Sequence, residues 1–373
     1  MQKEIKLQLA YLRKRKGITQ QKLAEIVGTS YQNISKWENG ITMPDITVLP
    51  VLAECFEVTT DQLLGLVALQ DEGYQEEKTD TNEFWNQKLT YLLRQQKIGW
   101  NEDYIEFLLK QVWDIQKPID ILDLGCGYGY MGAVLLRYLP EGSTYTGVDF
   151  SAKLLQFGEK LFKEEKISAT MIQGDILEYQ TQKKYDMTMC KSVLRHHGDS
   201  EPIIRKMMEF TKNGGLIVCI DTNRELESDG LYIEGMPYDK LCERNGSRKH
   251  WIAEYKNGDR DYAAAMRNAH QMHRLGIKDI EMRMNDKVSF FAPEQPDYAE
   301  KIADMMDFNE LWYEEPEKKV IERLMNHGMT RREAMAYYQR GREINEFLKE
   351  NPESTITWLR GTIITFGRKL EGK

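Results

Sequence analysis

The chain has 373 residues, a net charge of −8, and 41% apolar against 29% charged residues. It is too long for one average domain and has the composition of a soluble globular protein, not a disordered one. The tightest apolar run, Leu216-Ile217-Val218-Cys219-Ile220, is strand-length, far short of the ~18 residues a membrane span needs, and no apolar leader opens the chain. No membrane partner and a cytoplasmic location are therefore expected. Five scattered cysteines without a CxxC pair fit a reducing compartment and argue against a disulfide framework or a zinc ribbon. With an acidic whole, any nucleic-acid contact must come from a local patch.

Residues 1–66 carry eight basic against seven acidic side chains, so this stretch escapes the overall acidity. Leu7, Leu9 and Leu12, stopped at Gly17, describe a first helix. Thr19 precedes Gln20-Gln21-Lys22 and the apolar Leu23, Ala24, Ile26 and Val27, and Gly28 ends this second helix. Thr29-Ser30 offers an N-cap for a third, Tyr31 to Glu38. A gap of about three residues containing a glycine is the spacing of a helix-turn-helix. Pro44-Asp45 is expected to open a fourth helix and Thr59-Thr60-Asp61 a short fifth. Leu23, Ile34 and Trp37 point inward by helical spacing.

The string Leu12-Arg13, Gly17-Ile18-Thr19-Gln20, Leu23-Ala24, Ser35-Lys36-Trp37-Glu38-Asn39-Gly40 and Pro44 resembles the phage repressor/Cro (Xre) helix-turn-helix family over residues 5–66. The resemblance implies a double-stranded DNA partner, bound as a homodimer on a two-fold symmetric site, with the third helix in the major groove. Thr29, Ser30, Tyr31, Gln32, Asn33 and Lys36 would then face base edges or phosphates, and Gln20 would donate to a phosphate. Gln32 and Asn33 can pair bidentately with adenine. Arg13-Lys14-Arg15-Lys16 would add sequence-independent attraction.

Residues 67–82 hold Asp71, Glu72, Glu76, Glu77 and Asp80 against Lys78, with no apolar periodicity, and read as an acidic linker. Two amphipathic helices are expected from Glu83 onward, with Phe84, Trp85, Tyr91, Trp100, Tyr104, Phe107 and Trp113 among them.

Strand and helix signals then alternate. Ile121-Leu122-Asp123-Leu124 runs into Gly125-Cys126-Gly127-Tyr128-Gly129 and a helix from Met131 to Tyr138. Glycines let the backbone approach a ligand, and the helix start offers free N–H groups. Tyr145 to Asp149 is a second strand ending in a carboxylate, placed to accept both hydroxyls of a ribose. Met171 to Asp175, Tyr185 to Cys190 and the stretch from Asn213-Gly214-Gly215 to Ile220 supply three more. Ile280 to Phe291 and Thr362 to Phe366 are the candidates for strands six and seven.

This series resembles the class I S-adenosylmethionine-dependent methyltransferases over roughly residues 84–373. The resemblance implies a mostly parallel, seven-stranded Rossmann-like α/β sheet. The fold class expected for the whole is an all-α helix-turn-helix domain (1–66), the linker, and a methyltransferase domain (83–373) with lid insertions near 222–262 and 294–356. Carried over position by position, Gly125, Cys126, Gly127 and Gly129 would line the methionine part of S-adenosylmethionine. Asp123 would meet its amino group, Asp149 its ribose, Phe150 the adenine face, Asp175 and Ile176 the adenine edge, with Cys190 beside it. Cys126 and Cys190 read as small wall residues, not nucleophiles.

Ser192-Val193-Leu194-Arg195-His196-His197 is similar to the stretch after strand four in small-molecule methyltransferases, which implies a small-molecule acceptor. His196 on that register points at the substrate as base or orienter, with Arg195 and His197 flanking it as the rest of the candidate catalytic group. No metal is expected, because His270 and His273 lie at i, i+3 without a third ligand nearby. A DNA-base methylase is excluded: Cys190-Lys191-Ser192-Val193 stands where those enzymes carry Asp/Asn/Ser-Pro-Pro-aromatic. A regulator that senses the cofactor without turnover is the alternative to an enzyme.

Overall fold

The computed structural model describes residues 7–16, 18–56, 58–65, 89, 92–93, 99–242, 246–310 and 316–370. The acidic linker, the Gly17 stop and Phe84, Trp85, Tyr91 and Leu311 lie outside them. The chain divides into two compact units. One draws on stretches within 1–76, 244–253 and 310–343, the other on stretches within 77–243, 254–309 and 344–373. Among the described residues no helix is long and apolar enough to cross a membrane.

In the first unit, helices α1 (Leu9–Arg15), α2 (Gln20–Val27), α3 (Tyr31–Glu38), α4 (Leu49–Cys55) and α5 (Thr60–Leu63) enclose Leu9, Leu12, Leu23, Ile34, Trp37, Leu52 and Leu63. The boundaries have local causes. The Thr19 hydroxyl accepts from Lys22 N, and Gly28 closes α2 in the left-handed region at φ 71°. The Ser30 side chain accepts from Asn33 N and starts α3. Thr59 and Gln62 form a reciprocal capping box on α5. The fourth helix does not open at Pro44-Asp45 as expected. The Asp45 carboxylate instead accepts from Thr47 N and Oγ1, at 2.9 and 2.6 Å, an Asx-type turn, and α4 begins only at Leu49 with Pro50 in its first turn.

In the second unit, β1 (Asp120–Leu124), β2 (Thr144–Asp149), β3 (Ala169–Gln173), β4 (Tyr185–Lys191), β5 (Thr211–Thr222), β7 (Lys278–Met284) and β10 (Thr362–Arg368) form one sheet in the order β3-β2-β1-β4-β5-β10-β7. Strands β1 to β5 pair in parallel, and β10 is antiparallel to both β5 and β7. This is the mostly parallel Rossmann-like sheet that was expected. Side chains alternate across it. Ile121, Met187, Met189, Val218 and Ile220 pack on one face with Leu108, Leu109 and Val134. Leu122, Leu124, Ile217 and Cys219 pack on the other with Ile204, Met207 and Met272. Each such fully buried side chain stabilises the fold by about 1.5–3 kcal/mol. The chain moves outward from β1 through β2 to β3, then returns to β4 beside β1. The connections after β1 and β4 therefore part at the carboxyl ends, which is where such sheets open a cleft.

Strand six is not one element from 280 to 291. It breaks at Asn285-Asp286-Lys287 into β7 and β8 (Val288–Phe291), and β8 joins β6 (Leu231–Ile233) and β9 (Ile356–Leu359) in a separate antiparallel sheet, order β6-β9-β8. The break is anchored by Asn285, buried, whose Nδ2 donates to Gly99 O at 2.7 Å. The insertions supply helices Arg224–Asp229, Tyr238–Cys242, Ser247–Asn257, Tyr298–Glu310, Glu317–Asn326 and Arg331–Glu350.

Candidate functional site

At the carboxyl end of β1 the glycine turn is drawn tightly onto β2. Gly125 N and Cys126 N both donate to Val148 O, at 2.8 and 3.1 Å, and Gly127 N donates to Asp149 Oδ2 at 2.8 Å. Gly125, Gly127 and Gly129 have φ of 76°, 57° and 79°, a region that costs other residues energy. A Cβ on Gly125 would also strike the Val193 side chain. The turn before Val193 is made by Ser192, itself left-handed at φ 58°, with its N–H on Ile220 O at 2.7 Å. A non-glycine residue held in that region is a local cost, and it sets the post-β4 segment against the glycine loop.

Asp149 does more than the sequence suggested. Its Oδ1 accepts from Ser151 N at 2.9 Å while Oδ2 takes Gly127 N, so it clasps the glycine loop to the end of β2. Burial outweighs these hydrogen bonds and pushes its pKa above the ordinary carboxylate value. Asp123 is buried at 2% exposure. Its Oδ2 accepts from the Tyr145 hydroxyl at 2.7 Å, whereas its Oδ1 has no hydrogen-bond partner among the described residues. Burial pushes its pKa to about 7 against the pull of Tyr145 and Lys191. An orphaned buried oxygen at the mouth of the glycine loop fits an ammonium donor.

Cys126 is half-buried and its Sγ faces Gly127 O at 3.4 Å; burial raises its pKa. Cys190 is fully buried and pairs with Cys219 across β4 and β5. Phe150 is half-buried, and its carbonyl accepts from Gln173 Nε2 at 3.3 Å. Asp175 is exposed and caps its own turn by accepting from Leu177 N at 2.7 Å. Ile176 packs on the second core face.

Arg195 and His196 sit on a short 3-10 turn, Leu194–His196, beyond β4. Arg195 Nε lies 3.4 Å from His196 Nε2. Burial first, then the charges of Arg195 and Arg260, hold the His196 pKa well below its ordinary value, so the ring is neutral at neutral pH and can accept a proton. Burial also lowers His197, partly opposed by Asp175. Sequence reasoning missed Tyr145, the donor to Asp123, although its place on the same strand face two residues before Gly147 was the available signal. It also missed Lys191, Arg224, Glu227 and Arg360, which no spacing connects.

On the first unit, Ser30, Tyr31, Gln32, Asn33 and Lys36 are exposed, Thr29 is half-buried, and Asn33 Nδ2 donates to Thr29 Oγ1 at 3.0 Å. Gln20 is half-buried. Its Nε2 donates to Glu38 Oε2 at 2.7 Å, and Arg13 grips the same carboxylate through Nε and Nη2, at 2.5 and 3.0 Å. Burial of Glu38 calls for partners, and these two donors supply them. Arg13 is therefore no part of a free basic run.

A helix-turn-helix family model matches residues 9–63, and one described as a methyltransferase domain matches residues 115–257. The ubiquinone biosynthesis O-methyltransferase of Klebsiella pneumoniae (strain 342) is 28% identical over 120 residues, covering 32% of this chain and 48% of that protein. The chain thus spans about half the length of that relative. The demethylmenaquinone methyltransferase of Geobacillus sp. (strain WCH70) is 26% identical over 196 residues, 50% of this chain and 80% of that one. Among solved structures, phosphoethanolamine N-methyltransferase 2 of Haemonchus contortus, in complex with S-adenosyl-L-methionine, aligns at 14% identity and a TM-score of 0.44, covering 78% of this chain and 60% of that chain. The chain thus joins a helix-turn-helix domain at residues 9–63 to a methyltransferase domain at residues 115–257.

Proposed function

We propose that the protein is an S-adenosylmethionine-dependent methyltransferase of a small molecule, with a DNA-binding domain at 1–66, an acidic linker over 67–82 and the transferase portion from 83 onward. The observation that carries the reading is the cradle at the ends of β1 and β2: a glycine loop clasped by Asp149, beside a buried carboxylate oxygen of Asp123 that has no partner among the described residues. The residues present fit the cofactor. Gly125, Cys126, Gly127 and Gly129 leave room for the methionine portion, and Asp123 Oδ1 accepts from its ammonium. Asp149 keeps lone pairs on both oxygens for the ribose hydroxyls, with Phe150, Asp175 and Ile176 about the adenine and Cys190 beside the cofactor. When bound, S-adenosylmethionine supplies an electrophilic methyl group that transfers to the acceptor's nucleophilic atom and leaves S-adenosylhomocysteine.

This chain's own contribution is positioning, since in-line geometry accounts for most of such a barrier reduction. His196, neutral and beside Arg195, orients the acceptor or takes its proton; Arg195 and His197 flank it. The exposed start of α3, with Thr29, Ser30, Tyr31, Gln32, Asn33 and Lys36, supports a major-groove reading surface for double-stranded DNA, engaged as a homodimer. Gln20 donates one N–H to Glu38 and keeps its second for a DNA phosphate.

The test has two parts. Calorimetry should show micromolar binding of S-adenosylhomocysteine, and its absence at millimolar ligand sinks the reading. With an acceptor found by screening metabolites against labelled cofactor, His196→Ala should cut turnover by about 10²–10⁴-fold and leave cofactor affinity within a few-fold. Wild-type turnover should persist well below pH 6.5, because the lowered His196 pKa keeps the ring unprotonated there. Full turnover in the variant moves the role elsewhere. Binding without turnover on any acceptor favours a cofactor-sensing regulator.

A further inference from the structure

Beyond the cofactor cradle, the carboxyl end of β4 is surrounded by an excess of fixed positive charge. Lys191 is the last residue of β4, paired with Ile220. Arg195 follows on the 3-10 turn. The insertion then closes over this turn: Asp261 N donates to Arg195 O at 2.9 Å and Gly198 N to Gly258 O at 3.2 Å. These two bonds bring Arg260 alongside Arg195 and His196. From a third direction, Arg224 N donates to Tyr262 O at 3.3 Å, and Asn223 N to Gly361 O at 3.0 Å, which places Arg360 next to the start of helix Arg224–Asp229.

Five cations thus converge on three carboxylates: Lys191 faces Asp123 and Asp221, and Glu227 faces Arg224, Arg360 and Arg195. Glu227 is buried and takes both Arg224 and Arg360, the latter at 3.0 Å. Its pKa falls to about 2: burial opposes ionisation, but the charges of Arg224, Arg360 and Arg195 overwhelm it. Asp221 accepts from Asn268 Nδ2 at 3.1 Å and from the Arg195 backbone N–H. Lys191 and Arg260 are both half-buried, and neither makes a hydrogen bond or ion pair to a described residue. The Lys191 ammonium is held down to about 8, first by burial and then by Arg195 and Arg360. Half-buried cations that outnumber the carboxylates facing them are costly unless an anion completes them.

We infer that the methyl acceptor is an anion, bearing a carboxylate or a phosphate that seats between Lys191 and Arg260 against Arg195, with its nucleophilic atom beside His196. The inference rests on the methyltransferase reading and narrows its substrate class. Anion recognition of this kind uses charge-assisted hydrogen bonds, which are the strong ones. Arg224 and Arg360 act through Glu227 and position the insertion, so they are positioning residues.

The experiment uses the full chain saturated with S-adenosylhomocysteine, titrated with sodium acetate in one arm and inorganic phosphate in the other at fixed ionic strength. One or both probes should bind in the millimolar range, and the tighter arm identifies carboxylate or phosphate. Lys191→Met and Arg260→Gln should each weaken that binding roughly tenfold or more. S-adenosylhomocysteine affinity, titrated separately, should stay within a few-fold in both variants. Because the Arg260 side chain holds no described partner, its replacement leaves folding intact and keeps the test decisive if Lys191→Met misfolds. Failure of both probes to bind, or binding undiminished in Arg260→Gln, overturns the inference. A parallel loss of cofactor in Lys191→Met also overturns it, by assigning Lys191 to the cofactor's own carboxylate. Failure of wild type to bind S-adenosylhomocysteine is a different result: it removes the methyltransferase reading itself.

Discussion

Glu38 in the helical domain and Asp123 in the sheet domain are both carboxylates withdrawn from water, and they end in opposite states. Glu38 receives Arg13 twice and Gln20 once. Burial alone pushes it up, yet those hydrogen bonds and the Arg13 charge bring its pKa below the ordinary value. Among the described residues Asp123 receives only the Tyr145 hydroxyl and keeps an oxygen unpaired, and it rises to about 7. A carboxylate filled by its own chain is a clasp. One left half-filled at the open end of a parallel sheet has room for a ligand's donor. Asp149 lies between them: each oxygen holds one backbone N–H and keeps capacity for another.

The largest effect that sharpens this contrast is at Asp149. Asp149→Ala should weaken S-adenosylhomocysteine binding by about 1.5–3 kcal/mol, read by calorimetry, and should also loosen the glycine loop by freeing Gly127 N and Ser151 N. Asp149→Asn should not rescue it, since an amide must turn its NH2 toward one of those two N–H donors. Wild-type affinity in the alanine variant would mean that Asp149 is a clasp only, like Glu38.

Next in size is the clasp itself. Glu38→Gln removes the charge that Arg13 pairs with and should lower the helical domain's stability by about 1–2.5 kcal/mol, measured by denaturant melts of the full chain. The folded pKa of Glu38 is lowered, so its stabilisation is complete above the ordinary carboxylate pKa and fades as pH falls through the lower folded value. The wild type should lose its advantage over the variant in that acid window. A constant difference down to pH 2 would show that the ion pair contributes nothing.

What the residues disclosed follows the same division. Helices α2 and α3 with their caps were legible because Thr19, Gly28 and Ser30 act on neighbours within four positions. The strand ends were legible because Asp123, the glycines and Asp149 combine apolar runs with turn residues. The bond from Gln20 to Glu38 was hidden because the two lie 18 positions apart on different helices, and nothing in a local pattern marks which polar side chains meet. The break at Asn285 was hidden for a related reason. The run from Ile280 to Phe291 carries no turn glycine or proline, and the long-range pairings of β7 with β10 and of β8 with β9 are what divide it. The cations near β4 come from Lys191, Arg195, Arg224, Arg260 and Arg360, gathered by backbone bonds between insertions that carry no sequence signature.

A pH-dependent difference separates the two carboxylates most cleanly. Asp123→Asn keeps the side-chain shape and still accepts from Tyr145, but it cannot ionise. In the wild type the folded pKa is raised to about 7, above the ordinary carboxylate value of about 3.9. As pH climbs through that interval the unfolded chain gives up its proton first, so the folded state loses relative stability until about pH 7 and then levels off. The variant has no such loss. Without cofactor, the two proteins should melt alike near pH 4, and the variant should be the more stable at pH 8, the opposite sign to Glu38→Gln. With S-adenosylhomocysteine present the order should reverse, because the ionised oxygen finds its ammonium donor only in the wild type. If the variant is instead the less stable at pH 8 without ligand, Asp123 is satisfied within the chain and belongs with Glu38.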